Sequence, residues 1–103
     1  MAEIKTAPVT ATHVADKETF LQGRVAGSFR AGPADSDGEL SFWYCSPCGC
    51  GAVAPLLAAV NAKPEAGPSW NWNGSTDAPT LQPSVNHVCH WHGWLQNGVW
   101  TSC

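Results

Sequence analysis

The sequence predicts a small, mainly β fold with at most one short helix, and three observations carry that expectation. Apolar residues alternate at period two in short runs such as Leu40-Ser-Phe-Trp-Tyr44, the pattern of a strand with one buried face. Clusters of Gly, Pro, Asn and Ser interrupt the chain so often that only short strands fit between them. Two knuckles, Cys45-Ser-Pro-Cys48-Gly49 and Cys89-His-Trp-His92-Gly93, each set two soft ligands three apart before a glycine. A tight turn at each can aim both side chains at one ion, and the glycine avoids a Cβ clash where the chain turns back. Cys45, Cys48, Cys89 and His92 are therefore the expected ligands of a closed tetrahedral Zn²⁺ site, and the fold reads as a zinc-stabilised β module. Cys103, His90 and Cys50 compete as substitutes for His92.

At 103 residues the chain is one domain at most, divided by composition near Gly38. Residues 1–38 are rich in Ala, Thr, Gly, Asp and Ser, with single hydrophobes at Val9, Val14, Phe20, Leu21, Val25 and Phe29. They read as an extended N-terminal arm, with short strands at most over Thr10–Val14 and Phe20–Val25, that becomes ordered on a partner. Residues 39–103 form the zinc module. Leu40–Tyr44 is a strand leading into the first knuckle, with Leu40, Phe42 and Tyr44 on one face. Val53, Leu56, Leu57 and Val60 recur at helical spacing, so Ala52–Ala62 reads as a short helix with Pro55 in its first turn. A Pro/Gly loop follows, then a short strand carrying Trp70 and Trp72 that ends at the turn signal Asn73-Gly74. Pro79 and Pro83 bracket Thr80-Leu-Gln, an extended stretch suited to a sheet edge. Val85–Trp91 is a strand candidate, and Asn97-Gly98 joins Trp94-Leu-Gln to Val99-Trp-Thr as a hairpin.

Six tryptophans in so short a chain serve mainly as core, each burying on the order of 200 Å². An exposed aromatic platform for a sugar is the alternative. The five cysteines, an odd number in metal-like spacing, favour thiolate ligation in a reducing compartment over disulfides. The first residues lack the basic start and apolar run of a secretory peptide, and no stretch of about 18 apolar residues occurs to cross a membrane. With a formal net charge of −3 and no Lys or Arg after Lys63, nucleic acid is not an expected partner.

Catalytic templates are missing. No H-E-x-x-H, G-x-S-x-G or phosphate loop is present, the H-x-E…P-C-x-x-C deaminase signature is absent, and no carboxylate lies within a ligand motif. The segment Cys89-His-Trp-His92-Gly-Trp94 resembles the second cluster box of Rieske iron-sulfur proteins, but the C-x-H box that the resemblance requires is missing, so a His₂Cys₂ centre lacks a ligand. A Rieske-like redox protein stands as an alternative on that ground.

A second resemblance spans roughly residues 40–103. The order Phe42-Trp-Tyr-Cys45, Cys48-Gly-Cys-Gly51, Trp70-Asn-Trp-Asn-Gly74, Pro79-Thr-Leu-Gln-Pro-Ser84 and Cys89-His90 is similar to that of small Cys/His-rich tailed-bacteriophage proteins of unknown function. Other members often lack His92. The resemblance implies a phage origin and a zinc site. The expected function is thus a non-enzymatic structural or interaction protein, a capsid decoration or cement subunit. It would be made in the host cytoplasm, reside in the virion, bind capsid proteins and form homo-oligomers. A host-directed phage accessory protein or a carbohydrate-binding module is the alternative.

Overall fold

The computed structural model describes residues 5–87 and 91–103. The fold is mainly β: two sheets and one short helix, α1. In chain order the elements are β1 (Val9–Thr10), β2 (Thr12–His13), α1 (Lys17–Gly23), β3 (Ser28–Ala31), β4 (Glu39–Cys45), β5 (Val53–Val60), β6 (Trp70–Trp72), β7 (Leu81–Gln82), β8 (Val85–His87), β9 (Trp91–Gln96) and β10 (Val99–Ser102). One sheet runs β1-β10-β9-β8 and the other β2-β3-β4-β5-β6-β7. Each sheet therefore ends on one of two strands adjacent in sequence, β7 and β8, and that junction positions the site described below.

β4 follows the expected alternation, with Leu40, Phe42 and Tyr44 buried and Ser41 exposed. The β9–β10 hairpin turns at Asn97-Gly98, both at positive φ, and pairs Gln96 with Val99 and Trp94 with Thr101. Thr80-Leu-Gln contributes β7, an edge strand. Trp72, Trp91 and Trp100 are buried, and Trp91 meets Trp100 edge-on at 5.6 Å. Phe29 stacks on Phe42 at 5.2 Å, and Phe42 meets Trp72 edge-on at 5.5 Å. Tyr44 lies 5.4 Å from Trp100, joining core side chains of the two sheets.

Three expectations are corrected. Ala52–Ala62 is not a helix: β5 occupies it, paired with β4 from Val53 to Ala59. Pro55 is accommodated because the parallel partner β6 pairs only at Ala58 and Val60, so the Pro55 stretch has no ladder on that side. Phe20–Val25 is not a strand, because Asp16 caps a helix there. Its carboxylate accepts from the Thr19 N–H at 2.9 Å and the Thr19 hydroxyl at 2.8 Å, and Phe20 is buried below. The extended arm over residues 1–38 is not confirmed. β1 pairs with β10, β2 and β3 join the other sheet, and Phe20 and Phe29 are 1% and 0% exposed. The Trp100 indole nitrogen donates to the Gly27 carbonyl at 2.9 Å in a buried hydrogen bond, tying this segment to the C-terminal hairpin.

Candidate active site

The first knuckle begins at the end of β4. Cys45 is fully buried, and the chain turns through Ser46-Pro47-Cys48 with Gly49 at positive φ. The Ser46 hydroxyl donates to the Cys48 sulfur at 3.1 Å, and the Ala52 N–H donates to Cys50 at 3.4 Å. Burial pushes the Cys45 thiol up, and Cys50 adds to that. Burial would do the same to Cys48, but hydrogen bonds with Ser46 and Cys50 outweigh it and leave that thiol lowered. No disulfide joins the described cysteines, and no three His, Cys, Asp or Glu side chains among the described residues converge on a metal-sized position. Cys89 and His90 lie outside the described residues. Cys103 is exposed, its N–H donating to the His92 carbonyl at 3.0 Å.

His92 occupies a different setting. In the β8–β9 ladder it lies directly opposite Asn86. Ser84, two residues before Asn86, shares that face by the pleat and lies diagonal to His92, within reach of its side chain. The Ser84 hydroxyl and His92 Nε2 are 3.3 Å apart. Both residues are half-buried, so the pair is open to a substrate from outside.

Each partner is held from its own element. Ser84 follows the cis Gln82–Pro83 peptide at the β7–β8 junction, and its carbonyl accepts the Trp70 indole N–H at 3.1 Å. Val85, fully buried, anchors the next residue. On β9, the inward neighbours of His92 are Trp91 and Gly93, both buried. Trp91 donates its indole N–H to the Ser102 hydroxyl at 2.9 Å. Its ring lies over Gly93, where an added Cβ would overlap the Thr101 carbonyl and come 2.5 Å from the ring. Only glycine fits there, and the β9 backbone beside His92 is set accordingly.

Chemically the pair is a nucleophile and a base at hydrogen-bond reach, the core of acyl-transfer catalysis. The Ser84 contact is the one hydrogen bond of the His92 ring among the described residues, so the arrangement on view is a dyad. Sequence reading assigned His92 to metal and gave Ser84 no role. The Pro-Ser motif matches no nucleophile template, and His92, eight positions after Ser84, returns to it only through the β8–β9 pairing.

Elsewhere, on the face of the β6–β7 ladder opposite the buried Trp72 and Leu81, an open cleft of about 310 Å³ is lined by Asn61, Asn71, Asn73, Thr80 and Gln82.

Comparison with known proteins gives one family. The family model described as "Bacterial ubiquitination-like system serine protease (BubE)" matches residues 15–103. No curated protein and no solved structure matches. The family match overturns the phage-family resemblance and, with it, the non-enzymatic decoration or cement function, the capsid partners and the virion location. The Rieske-like, host-directed phage accessory and carbohydrate-binding alternatives give way to it as well. With most of its length matched and a serine and a histidine in contact on its surface, the chain belongs to the family of bacterial ubiquitination-like system serine proteases, BubE.

Proposed function

We propose that the chain is a serine hydrolase of a bacterial ubiquitination-like pathway, with Ser84 as nucleophile and His92 as general base, acting on proteins of that pathway. The observation that carries this is the 3.3 Å contact between the Ser84 hydroxyl and His92 Nε2; the family description supplies the reaction class.

His92 Nε2 must carry the lone pair, leaving the proton on Nδ1. As the Ser84 oxygen attacks the substrate carbonyl carbon, its proton passes to Nε2, and the C=O electron pair moves onto the carbonyl oxygen. Collapse of the tetrahedral species breaks the bond to the leaving group, which takes the proton from Nε2. Water then attacks the Ser84 ester, gives a proton to Nε2, and Ser84 recovers that proton as the acid departs. The Trp70 hydrogen bond to the Ser84 carbonyl fixes the nucleophile's backbone during these steps.

Hydrolysis of p-nitrophenyl acetate tests the assignment. Ser84→Ala and His92→Ala should each abolish turnover, and the double variant should lose no more than either single one, because the two act as a unit. Turnover surviving in Ser84→Ala, with the protein folded, would overturn it.

A structural Zn²⁺ at Cys45, Cys48 and Cys89 belongs to the same reading, supported by the C-x-x-C-G spacing and by the contact between Cys48 and Cys50. His92, committed to Ser84, is left out of the ligand set. The role is folding rather than chemistry.

A further inference from the structure

We propose that the pocket between α1 and the outer face of the six-stranded sheet is a docking site for an extended acidic segment of a partner protein, which inserts one apolar side chain and carries a carboxylate on either side of it. The proposal concerns a different part of the fold from Ser84 and His92 and stands independently of their assignment.

The pocket follows from how α1 lies on its sheet. Lys17, Phe20 and Leu21 stand at i, i+3 and i+4, so they share one face of the helix. On the sheet, Arg30 of β3 pairs directly with Trp43 of β4. Their strand neighbours Phe29, Phe42 and Tyr44 are buried in the core, so alternation puts Arg30 and Trp43 on the outer face. These five residues, two from the sheet and three from the helix, line one cavity of about 100 Å³. Phe20, 1% exposed, closes its base, whereas Leu21 and Trp43 are half-buried and keep apolar surface toward the opening.

Size selects the kind of occupant. Small-molecule sites run to roughly 300–1,000 Å³, and this cavity is well below that. It has room for one side chain, the geometry of an anchor residue from a protein partner, and Trp and Arg are among the residue types enriched where such anchors seat.

Charge selects what flanks the anchor. The chain has a net charge of −3 and five basic residues, yet two of them line this cavity. Arg24 donates to the Gly51 carbonyl and Lys63 to the Ser69 hydroxyl, both within the fold. Arg30 uses only Nε, donating to the Ala15 carbonyl at 3.4 Å; its terminal nitrogens and the Lys17 ammonium bond to no described residue. Asp16 lies close enough to feel the Arg30 charge, but its carboxylate is taken up by the Thr19 N–H and hydroxyl. One cation thus comes from the helix and one from the sheet. In an extended segment the residues two before and two after the anchor share its side of the chain, about 7 Å away, where carboxylates can meet these two cations. A nucleic-acid backbone would need a longer basic track, and no Lys or Arg follows Lys63.

The test is an NMR titration of the full chain, following backbone amides and indole N–H groups, with the peptide Ac-Asp-Gly-Phe-Gly-Asp-NH2 at low salt. Resonances of Lys17, Leu21, Arg30 and the Trp43 indole should shift saturably with a Kd of about 1 mM or below, the scale set by one buried aromatic side chain and two exposed ion pairs. Replacing Phe by Ala in the peptide should weaken binding at least about tenfold. Replacing both Asp by Asn should weaken it about fivefold, a difference that molar salt removes. Lys17→Glu, at an exposed position and so without cost to the fold, should weaken the Asp peptide and strengthen the Lys-Gly-Phe-Gly-Lys analogue, each by about threefold. No saturable shift at these residues up to about 10 mM peptide, shifts centred on another face, equal affinity for the Asp and Asn peptides at low salt, or a Lys17→Glu chain with the wild-type preference would each overturn the proposal.

Discussion

Trp100→Phe probes whether the N-terminal segment is part of the fold. Trp100 is 0% exposed, packs against Tyr44 and Trp91, and donates its indole N–H to Gly27. Phe keeps an aromatic ring but removes that donor, leaving the buried Gly27 carbonyl unpaired at a cost of about 1–3 kcal/mol. The smaller ring leaves a void of roughly 40 Å³, which at about 24 cal/mol per Å³ adds about 1 kcal/mol. The sum, about 2–4 kcal/mol, corresponds to a fall in Tm of about 10–25 °C for a domain of this size. Urea denaturation followed by near-ultraviolet circular dichroism should show the midpoint shifted with an unchanged slope. Trp94→Phe, at an exposed position, should stay within about 0.5 kcal/mol of wild type. A Trp100→Phe loss below about 0.5 kcal/mol would mean that residues around Gly27 do not pack on the hairpin, and the two-sheet account would fail.

Three other perturbations have defined outcomes. Gly93→Ala should yield unfolded or insoluble protein, since its Cβ would overlap the Thr101 backbone; a soluble variant with a wild-type melting curve would contradict the β9–β10 geometry. Protein purified without added metal should contain about one equivalent of zinc by mass spectrometry, and Cys45→Ser should lose both the zinc and the fold; zinc below half an equivalent would exclude the site. Asp16→Ala should lower Tm at pH 7. Hydrogen bonds from the Thr19 backbone and hydroxyl hold the Asp16 carboxyl below its ordinary value, so its contribution is complete above that value and is lost as pH falls through the lowered one. The two melting curves should therefore converge in acid, and a difference that persists or grows there would show that the cap acts some other way.

The strands were legible where local pattern and tertiary role agree. Leu40, Phe42 and Tyr44 alternate because β4 has one core face, and Asn97-Gly98 tolerates the positive φ that its hairpin demands. β5 misled because Val53, Leu56, Leu57 and Val60 satisfy a helical period while the segment lies between two strands, where ladder pairing outweighs period. Phe20 and Phe29 looked too isolated for a core because each belongs to a different short element, and the residues that share the core with Phe29, such as Trp72 and Trp100, lie far along the chain. The Asp16 cap was readable in Asp16-Lys-Glu-Thr19, although the small-residue clusters around it pointed to loop. At the site, the cysteine knuckle announces itself by spacing. The dyad does not: Ser84 and His92 share no motif, and only the β8–β9 register makes them neighbours. The same histidine fits a metal knuckle in sequence and a catalytic base in space.

Reaction with a fluorophosphonate, followed by intact-mass and peptide mapping, tests the central claim most directly, since the reagent labels a serine only where a base activates it. The account predicts one adduct per chain at Ser84, absent in Ser84→Ala and slowed by at least about 100-fold in His92→Ala, within the range ascribed to a positioned base. An adduct at another serine, or labelling of Ser84 at an undiminished rate without His92, would contradict it.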